Sequence, residues 1–191
     1  MKKIAILASG SGTNAQNIIE YFREKRTALV SLVLSNSKDA YVLKRAEKLE
    51  VPYTVFGRKD FYESDRILNI LEEHRIDLIV LAGFLWLIPQ NILKAYPDRI
   101  VNIHPALLPK YGGKGMYGNK VHKAVLEKGE KESGISIHYV NEKYDEGEII
   151  FQAKCPVKEA DTPESLASRV HELEYRYYPE IINKIILEMD S

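Results

Sequence analysis

Asn102 and His104 close an apolar run that begins at Ile100-Val101, and Pro105-Ala106-Leu107-Leu108-Pro109 follows them. Alternation along a strand points both side chains to the same side. The amide donates a hydrogen bond at any pH, and the imidazole donates or carries a proton near neutrality. Such a pair is suited to stabilising an oxygen that becomes negative during a reaction. Pro105 and Pro109 exclude a helix and predict a fixed, extended loop, the preorganisation such a site requires. The plainer alternatives are an Asn that satisfies loop backbone and a capped core histidine.

A second candidate is Gly10-Ser11-Gly12-Thr13-Asn14. Gly10, Gly12 and Ala15 fit the G-x-G-x-x-A pattern of dinucleotide sites. That pattern needs an acid near the end of the next strand, and Leu32-Val33-Leu34-Ser35-Asn36 offers none before Asp39. A phosphate monoester suits the turn better, held by the backbone N–H groups of Gly12, Thr13 and Asn14 and the Thr13 hydroxyl. The alternative is a tight turn with a helix cap. Asp145 is a candidate acid partner, although turn chemistry alone accounts for an Asp there. His171, Glu174 and Tyr178 share one helical face, opposite an apolar stripe, and read as solvated. His122 and His138 have no local context that promotes them. The histidines lack metal-ligand spacing, so no metal is expected.

Alternating elements must position these residues. Apolar runs predict strands at Ile4–Ala8, Leu29–Leu34, Pro52–Phe56 and Leu78–Ala82, with a further strand carrying Asn102 and His104. Helical spacing predicts helices from Asn14 onward, over Asp39–Leu49, Asp60–Arg75, Gln90–Ala95 and Asn119–Lys128. Gly134–Val140 and Ile149–Lys154 read as an antiparallel hairpin. A last helix starts at Thr162-Pro163, buries Leu166, Val170, Leu173 and Tyr177, and is expected to kink or split at Pro179. The fold class is α/β: a doubly wound, mostly parallel Rossmann-like sheet with a C-terminal antiparallel hairpin and a long terminal helix. In such sheets the site lies beyond the carboxyl ends of the strands, where the Gly-rich turn, Gly83-Phe84 and Asn102/His104 converge.

The chain has 191 residues, enough for one domain with a core of its own. Lys plus Arg and Asp plus Glu are both 27, so bulk charge selects neither a nucleic-acid nor a membrane partner. One cysteine, Cys155, excludes an internal disulfide and fits a reducing compartment. Ser9–Gly12 ends the first apolar stretch too soon for a signal peptide, and no apolar run reaches membrane-spanning length. The expected location is cytoplasmic.

Four segments occur in order: Ala8–Asn14, Leu81-Ala82-Gly83-Phe84, Asn102–Pro109 and Tyr144-Asp145-Glu146-Gly147. Together they resemble the phosphoribosylglycinamide formyltransferase family, the folate-dependent enzymes of purine synthesis, over essentially the whole chain. The resemblance implies formyl transfer from 10-formyltetrahydrofolate to the amine of glycinamide ribonucleotide, with Asn102, His104 and Asp145 catalytic. It implies that Gly12, Thr13 and Asn14 hold the phosphate, that Glu174, His171 and Pro105 contact the substrate, and that Leu85, Trp86, Leu87, Ile88, Asn102, Asn141 and Tyr144 wall the folate pocket. It further implies one domain over 1–191, with about 1–100 as the phosphate half and about 101–191 as the catalytic and folate half. Partners are small molecules only, the folate is a co-substrate, no metal takes part, and the chain is a monomer or homodimer. Trp86 and His171 stand where the family pattern has Arg and a neutral polar residue, and the loop Tyr111–Asn119 is richer in glycine. Hydrolysis of the formyl group, or nucleotide binding without catalysis, are the alternatives.

Overall fold

Continuous apolar runs become strands covered on both faces: Ile4, Ala5, Ile6 and Leu7 are each 1% exposed or less. The computed structural model describes residues 1–189; Asp190 and Ser191, the end of the expected 1–191 domain, lie outside the described residues. The strands are β1 (Lys2–Leu7), β2 (Ala28–Ser35), β3 (Tyr53–Val55), β4 (Leu78–Leu81), β5 (Ile100–His104), β6 (Glu132–Tyr139) and β7 (Ile149–Pro156). The helices are α1 (Thr13–Lys25), α2 (Tyr41–Lys48), α3 (Arg58–Tyr62), α4 (Arg66–Glu73), α5 (Gln90–Ala95), α6 (Asn119–Glu127) and α7 (Pro163–Glu188).

All seven strands form one sheet in the order β3-β2-β1-β4-β5-β6-β7. β1 to β5 are parallel, and β6 and β7 add antiparallel at the β5 edge. This is the expected doubly wound sheet with its C-terminal hairpin. The order reverses on either side of β1, between β2 and β4, so the loops after β1 and β4 open a crevice at the carboxyl ends. Two apolar layers cover the sheet. Ile4, Ile6 and Ala8 pack with α1 and α7 residues such as Ile18 and Ile182, while Ala5 and Leu7 pack with Phe61, Leu71 and Ile92. Among the described residues, no helix is long and apolar enough to cross a membrane.

Four expectations need correction. The helix expected over Asp60–Arg75 is two, α3 and α4. The Ser64 hydroxyl donates to the Asp60 carbonyl at 3.0 Å and accepts from the Arg66 N–H at 3.3 Å, so a side chain replaces the helical bond there. The last helix does not split at Pro179 but runs on to Glu188. Proline cannot donate to the Tyr175 carbonyl one turn back, and the Asn17 side-chain amide supplies that bond at 2.8 Å. The buried stripe of α7 is Leu166, Val170, Glu174, Tyr178 and Ile182, whereas Leu173 and Tyr177 are only half-buried. The face expected to be solvated therefore carries two buried polar residues. Finally, the segment after His104 turns rather than running extended, and its Leu108–Pro109 peptide is cis.

Candidate active site

A cavity of about 630 Å³ opens at the carboxyl ends of β1, β4 and β5. Its walls come from the Gly-rich turn, the Gly83–Ile88 turn, the end of β5, the Gly-rich loop, the β6–β7 turn and α7. Of the residues selected from sequence, Gly12, Thr13, Asn14, Leu85, Trp86, Leu87, Ile88, Asn102, His104, Pro105, Tyr144, Asp145, His171 and Glu174 all line it. Asn141 does not. Its side-chain oxygen accepts the Lys143 N–H at 2.9 Å and shapes the β6–β7 turn instead.

At one end of the cavity stand Asn102, His104, His138 and Asp145. Parallel pairing with β4 and antiparallel pairing with β6 hold the end of β5 from both sides. The loop that follows is fastened by one hydroxyl. Ser136 Oγ donates to the Ala106 carbonyl at 2.7 Å and accepts from the Leu108 N–H at 2.9 Å and from Gln152 at 2.7 Å. Gln152 also donates to the Leu108 carbonyl at 3.1 Å. The loop that the prolines restrict is thus tied to β6 and β7.

The hydrogen bonds assign both imidazole tautomers, because a carbonyl only accepts. His104 Nε2 lies 2.7 Å from the Tyr111 carbonyl, so Nε2 carries the proton and Nδ1 faces Asp145 Oδ2 at 3.5 Å. His138 Nδ1 lies 2.7 Å from the Tyr139 carbonyl, so its Nε2 is the acceptor for Asn102 Nδ2 at 3.0 Å. Asn102 Nδ2 also reaches Asp145 Oδ1 at 3.4 Å, and the Gly113 N–H donates to Asp145 Oδ2 at 3.0 Å. Asp145 sits at φ 56°, in the left-handed region, at the turn that aims its carboxylate inward. Gly147 closes that turn: a Cβ there would lie 1.7 Å from the Tyr139 carbonyl oxygen.

Burial acts on both charged partners. It pushes the Asp145 carboxyl up, but the His138 ring 3.6 Å away, the His104 ring and the Gly113 N–H outweigh it and hold the group below the usual carboxylate range. For His104 burial wins: it lowers the imidazole below its ordinary value, although Asp145 and the Tyr111 carbonyl favour protonation. His104 is 3% exposed, and one carboxylate does not repay the loss of water around its charged form.

The other end of the cavity is the start of α1. Gly12 adopts φ 72°, no side chain caps the helix, and its first turn holds no acidic residue. Among the described residues, no hydrogen bond uses the N–H of Gly12, Thr13 or Asn14. These groups and the helix dipole make an anion site. Asn14 Nδ2 donates to Glu174 Oε2 at 2.8 Å, while Asn14 Oδ1 is buried without a partner. Burial pushes the Glu174 carboxyl up, against the Asn14 bond and the charge of His171. His171 is exposed at the cavity mouth and stacks on Tyr175 at 6.1 Å.

Between β4 and the β6–β7 turn the wall is apolar. Trp86 packs with Phe56, Phe61, Tyr62 and Phe84, and Arg58 lies 4.8 Å over its ring. Tyr62 donates to the Leu87 carbonyl at 3.0 Å, and Leu85 donates its N–H to Ser9 Oγ at 3.1 Å. The wall therefore offers a flat apolar slot edged by backbone groups. No group of three or more His, Cys, Asp and Glu suited to a metal exists among the described residues.

Sequence reasoning passed over His138 and His122. His138 faces Asn102 because the β5–β6 register pairs them. His122 lines the cavity from α6, 1% exposed, with its Nδ1 unpartnered. Alternation along β6 puts His138 on a definite face, but nothing in the sequence fixes the register.

The chain is similar to known proteins over nearly its whole length. The chain is 42% identical over 193 residues to the chloroplastic phosphoribosylglycinamide formyltransferase of Arabidopsis thaliana, covering 98% of this chain and 66% of the relative. It is 41% identical over 187 residues to the phosphoribosylglycinamide formyltransferase of Haemophilus influenzae, covering 95% of this chain and 86% of the relative. The crystal structure of glycinamide ribonucleotide transformylase 1 from Symbiobacterium toebii superposes with a TM-score of 0.90 at 38% identity, covering 98% of this chain and 89% of that one. The sequence model for formyl transferases matches residues 2–182, which takes in every strand and all but the last turns of α7, and the chain belongs to the formyl transferase family.

Proposed function

We propose that the chain transfers the formyl group of 10-formyltetrahydrofolate to the amine of glycinamide ribonucleotide. One observation carries the reading: a single cavity joins an uncapped helix N-terminus, suited to a phosphate, to an Asn–His–Asp group suited to an oxyanion. The names of the relatives point the same way. The apolar slot along Leu85–Ile88 and Tyr144 suits a pterin ring held through backbone groups, and Glu174, His171 and Pro105 line the stretch where the ribose and glycinamide would lie.

The substrate amine attacks the formyl carbon, a C–N bond forms, and the carbonyl oxygen becomes an oxyanion. Asn102 keeps the Nδ2 hydrogen given to His138 and turns the other, held only at 3.4 Å by Asp145, to that oxygen. One such donor contributes about 3 kcal/mol in the transition state. In the free protein burial disfavours the charged form of His104. The developing oxyanion and Asp145 then flank it with two negative charges and favour its protonated form at that moment. The amine proton supplies that protonation, passing to His104 and on by way of Asp145 and water to the folate nitrogen as the old C–N bond breaks and the oxyanion returns to a carbonyl. No nucleophilic side chain takes part, and alignment of two substrates in one cavity supplies much of the rate.

Residues 1–191 act as one formyltransferase domain on small molecules in the cytoplasm, about 1–100 supplying the phosphate end and about 101–191 the catalytic and folate end. The direct test incubates the protein with both substrates. The expected result is formylated ribonucleotide in step with folate consumed. Formate released without use of the amine would overturn the reading in favour of hydrolysis.

A further inference from the structure

We propose that Arg45 on α2 is a positioning residue that aims the Gly10–Asn14 turn at the substrate phosphate. The proposal rests on the phosphate reading of that turn given above. At the mouth of this turn the Ser11 and Gly12 N–H groups reach an anion only if they point into the cavity, and two carbonyls decide this. The Gly10 carbonyl accepts the Val42 N–H at 3.1 Å, and the Ser11 carbonyl accepts Arg45 Nε at 2.8 Å. In a trans peptide the C=O and the following N–H point in opposite directions. Gly10 C=O shares its peptide with the Ser11 N–H, and Ser11 C=O shares its peptide with the Gly12 N–H. Drawing both carbonyls toward α2 therefore turns both N–H groups away from α2, toward the cavity that this turn lines.

The arrangement is braced from behind. A Cβ on Gly12 would lie 2.4 Å from Val42 Cγ2, so the side chain of α2 fills the space behind the turn. Arg45 is itself held on two sides: it donates to the side-chain oxygen of Gln16 on α1, and its guanidinium lies 4.9 Å over the Tyr41 ring. Gln16 is anchored in turn by donating to Glu20 at 2.8 Å. A planar guanidinium holds two acceptors in fixed directions, which an ammonium on a flexible stem does not. Arg45 thus locks α2 to the first turn of α1 at the residue whose peptide presents the Gly12 N–H.

The test is steady-state kinetics of Arg45→Gln and Arg45→Lys with each substrate varied in turn, and with inorganic phosphate as a competing probe. For Arg45→Gln the expected result is a KM for the ribonucleotide raised about tenfold, the loss of one charged hydrogen bond. The inhibition constant of inorganic phosphate should rise in parallel, with kcat and the folate KM changed less than about twofold. Arg45→Lys keeps the charge but not the two-pronged hold, and should recover less than half of the loss. An unchanged ribonucleotide KM, an equal loss for both substrates, or full recovery by Lys would each overturn the proposal. If inorganic phosphate does not compete with the ribonucleotide in the unaltered protein, it is the phosphate reading of the turn that fails, before Arg45 is tested.

Discussion

Asn102 on β5 and His138 on β6 stand directly opposite each other across an antiparallel pair, amide nitrogen to imidazole nitrogen at 3.0 Å. The His138 proton is committed to the Tyr139 carbonyl, so the ring presents an acceptor and holds the Asn102 amide with its NH₂ toward Asp145. His138 therefore sets which atom of Asn102 meets the substrate. His138→Phe keeps the ring volume and removes the acceptor. It should lower kcat about tenfold with little change in either KM. Asn102→Ala should cost about 100-fold, and the double variant no more than Asn102→Ala alone, because His138 acts through Asn102. Additive losses in that cycle would refute the role.

Removal of the His104–Asp145 pair should separate chemistry from binding. His104→Ala and Asp145→Asn each leave the start of α1 untouched, and both residues lie at the other end of the cavity. Turnover should fall about 100-fold in each, while inhibition by inorganic phosphate stays within about twofold of the unaltered protein. Near-normal turnover in either variant would remove that residue from the catalytic group.

Tyr178 is fully buried on α7, and its hydroxyl meets the carbonyls of Leu81 and Val101 at 2.8 and 3.2 Å. The first carbonyl ends β4, and the second belongs to the residue directly before Asn102 on β5. Tyr178→Phe takes the donor away and leaves two acceptors inside the core. The expected cost is about 2 kcal/mol, read as a Tm lower by about 5 °C for a domain of this size. An unchanged Tm would show that water satisfies those carbonyls instead.

The same residue marks how far the sequence could be read. Strand alternation and the flanking prolines made Asn102 and His104 legible, because both signals are local. The parallel sheet was legible from apolar runs alternating with helices. His138 was not, since its partner is 36 residues away and the β5–β6 register is a tertiary fact. Glu174 and Tyr178 read as a solvated face because polar side chains on helices usually are. What buries them is Asn14, 160 residues earlier, and two strand carbonyls. The break between α3 and α4 turned on one hydroxyl, Ser64, displacing one backbone bond, and Pro179 was absorbed by one amide, Asn17. In each case a single side chain overruled a local signal.

His122 predicts an acid limb in the stability profile. It is 1% exposed, and burial first, then the charges of His171 and His104, lower its pKa from 6.5 to about 4. The unfolded chain thus takes up this proton as pH falls through about 6.5, while the folded protein refuses it until about 4. The contribution is fully present above about 6.5, is lost between there and about 4, and amounts to about 3 kcal/mol at most. His104 is shifted in the same direction by burial, and Glu174, which burial raises, opposes both histidines. His122→Phe fills the same space without a proton to bind. Its Tm should fall less steeply than that of the unaltered protein between pH 6.5 and 4.5. Identical slopes for the two proteins would show that His122 takes up its proton equally in the folded and unfolded chains.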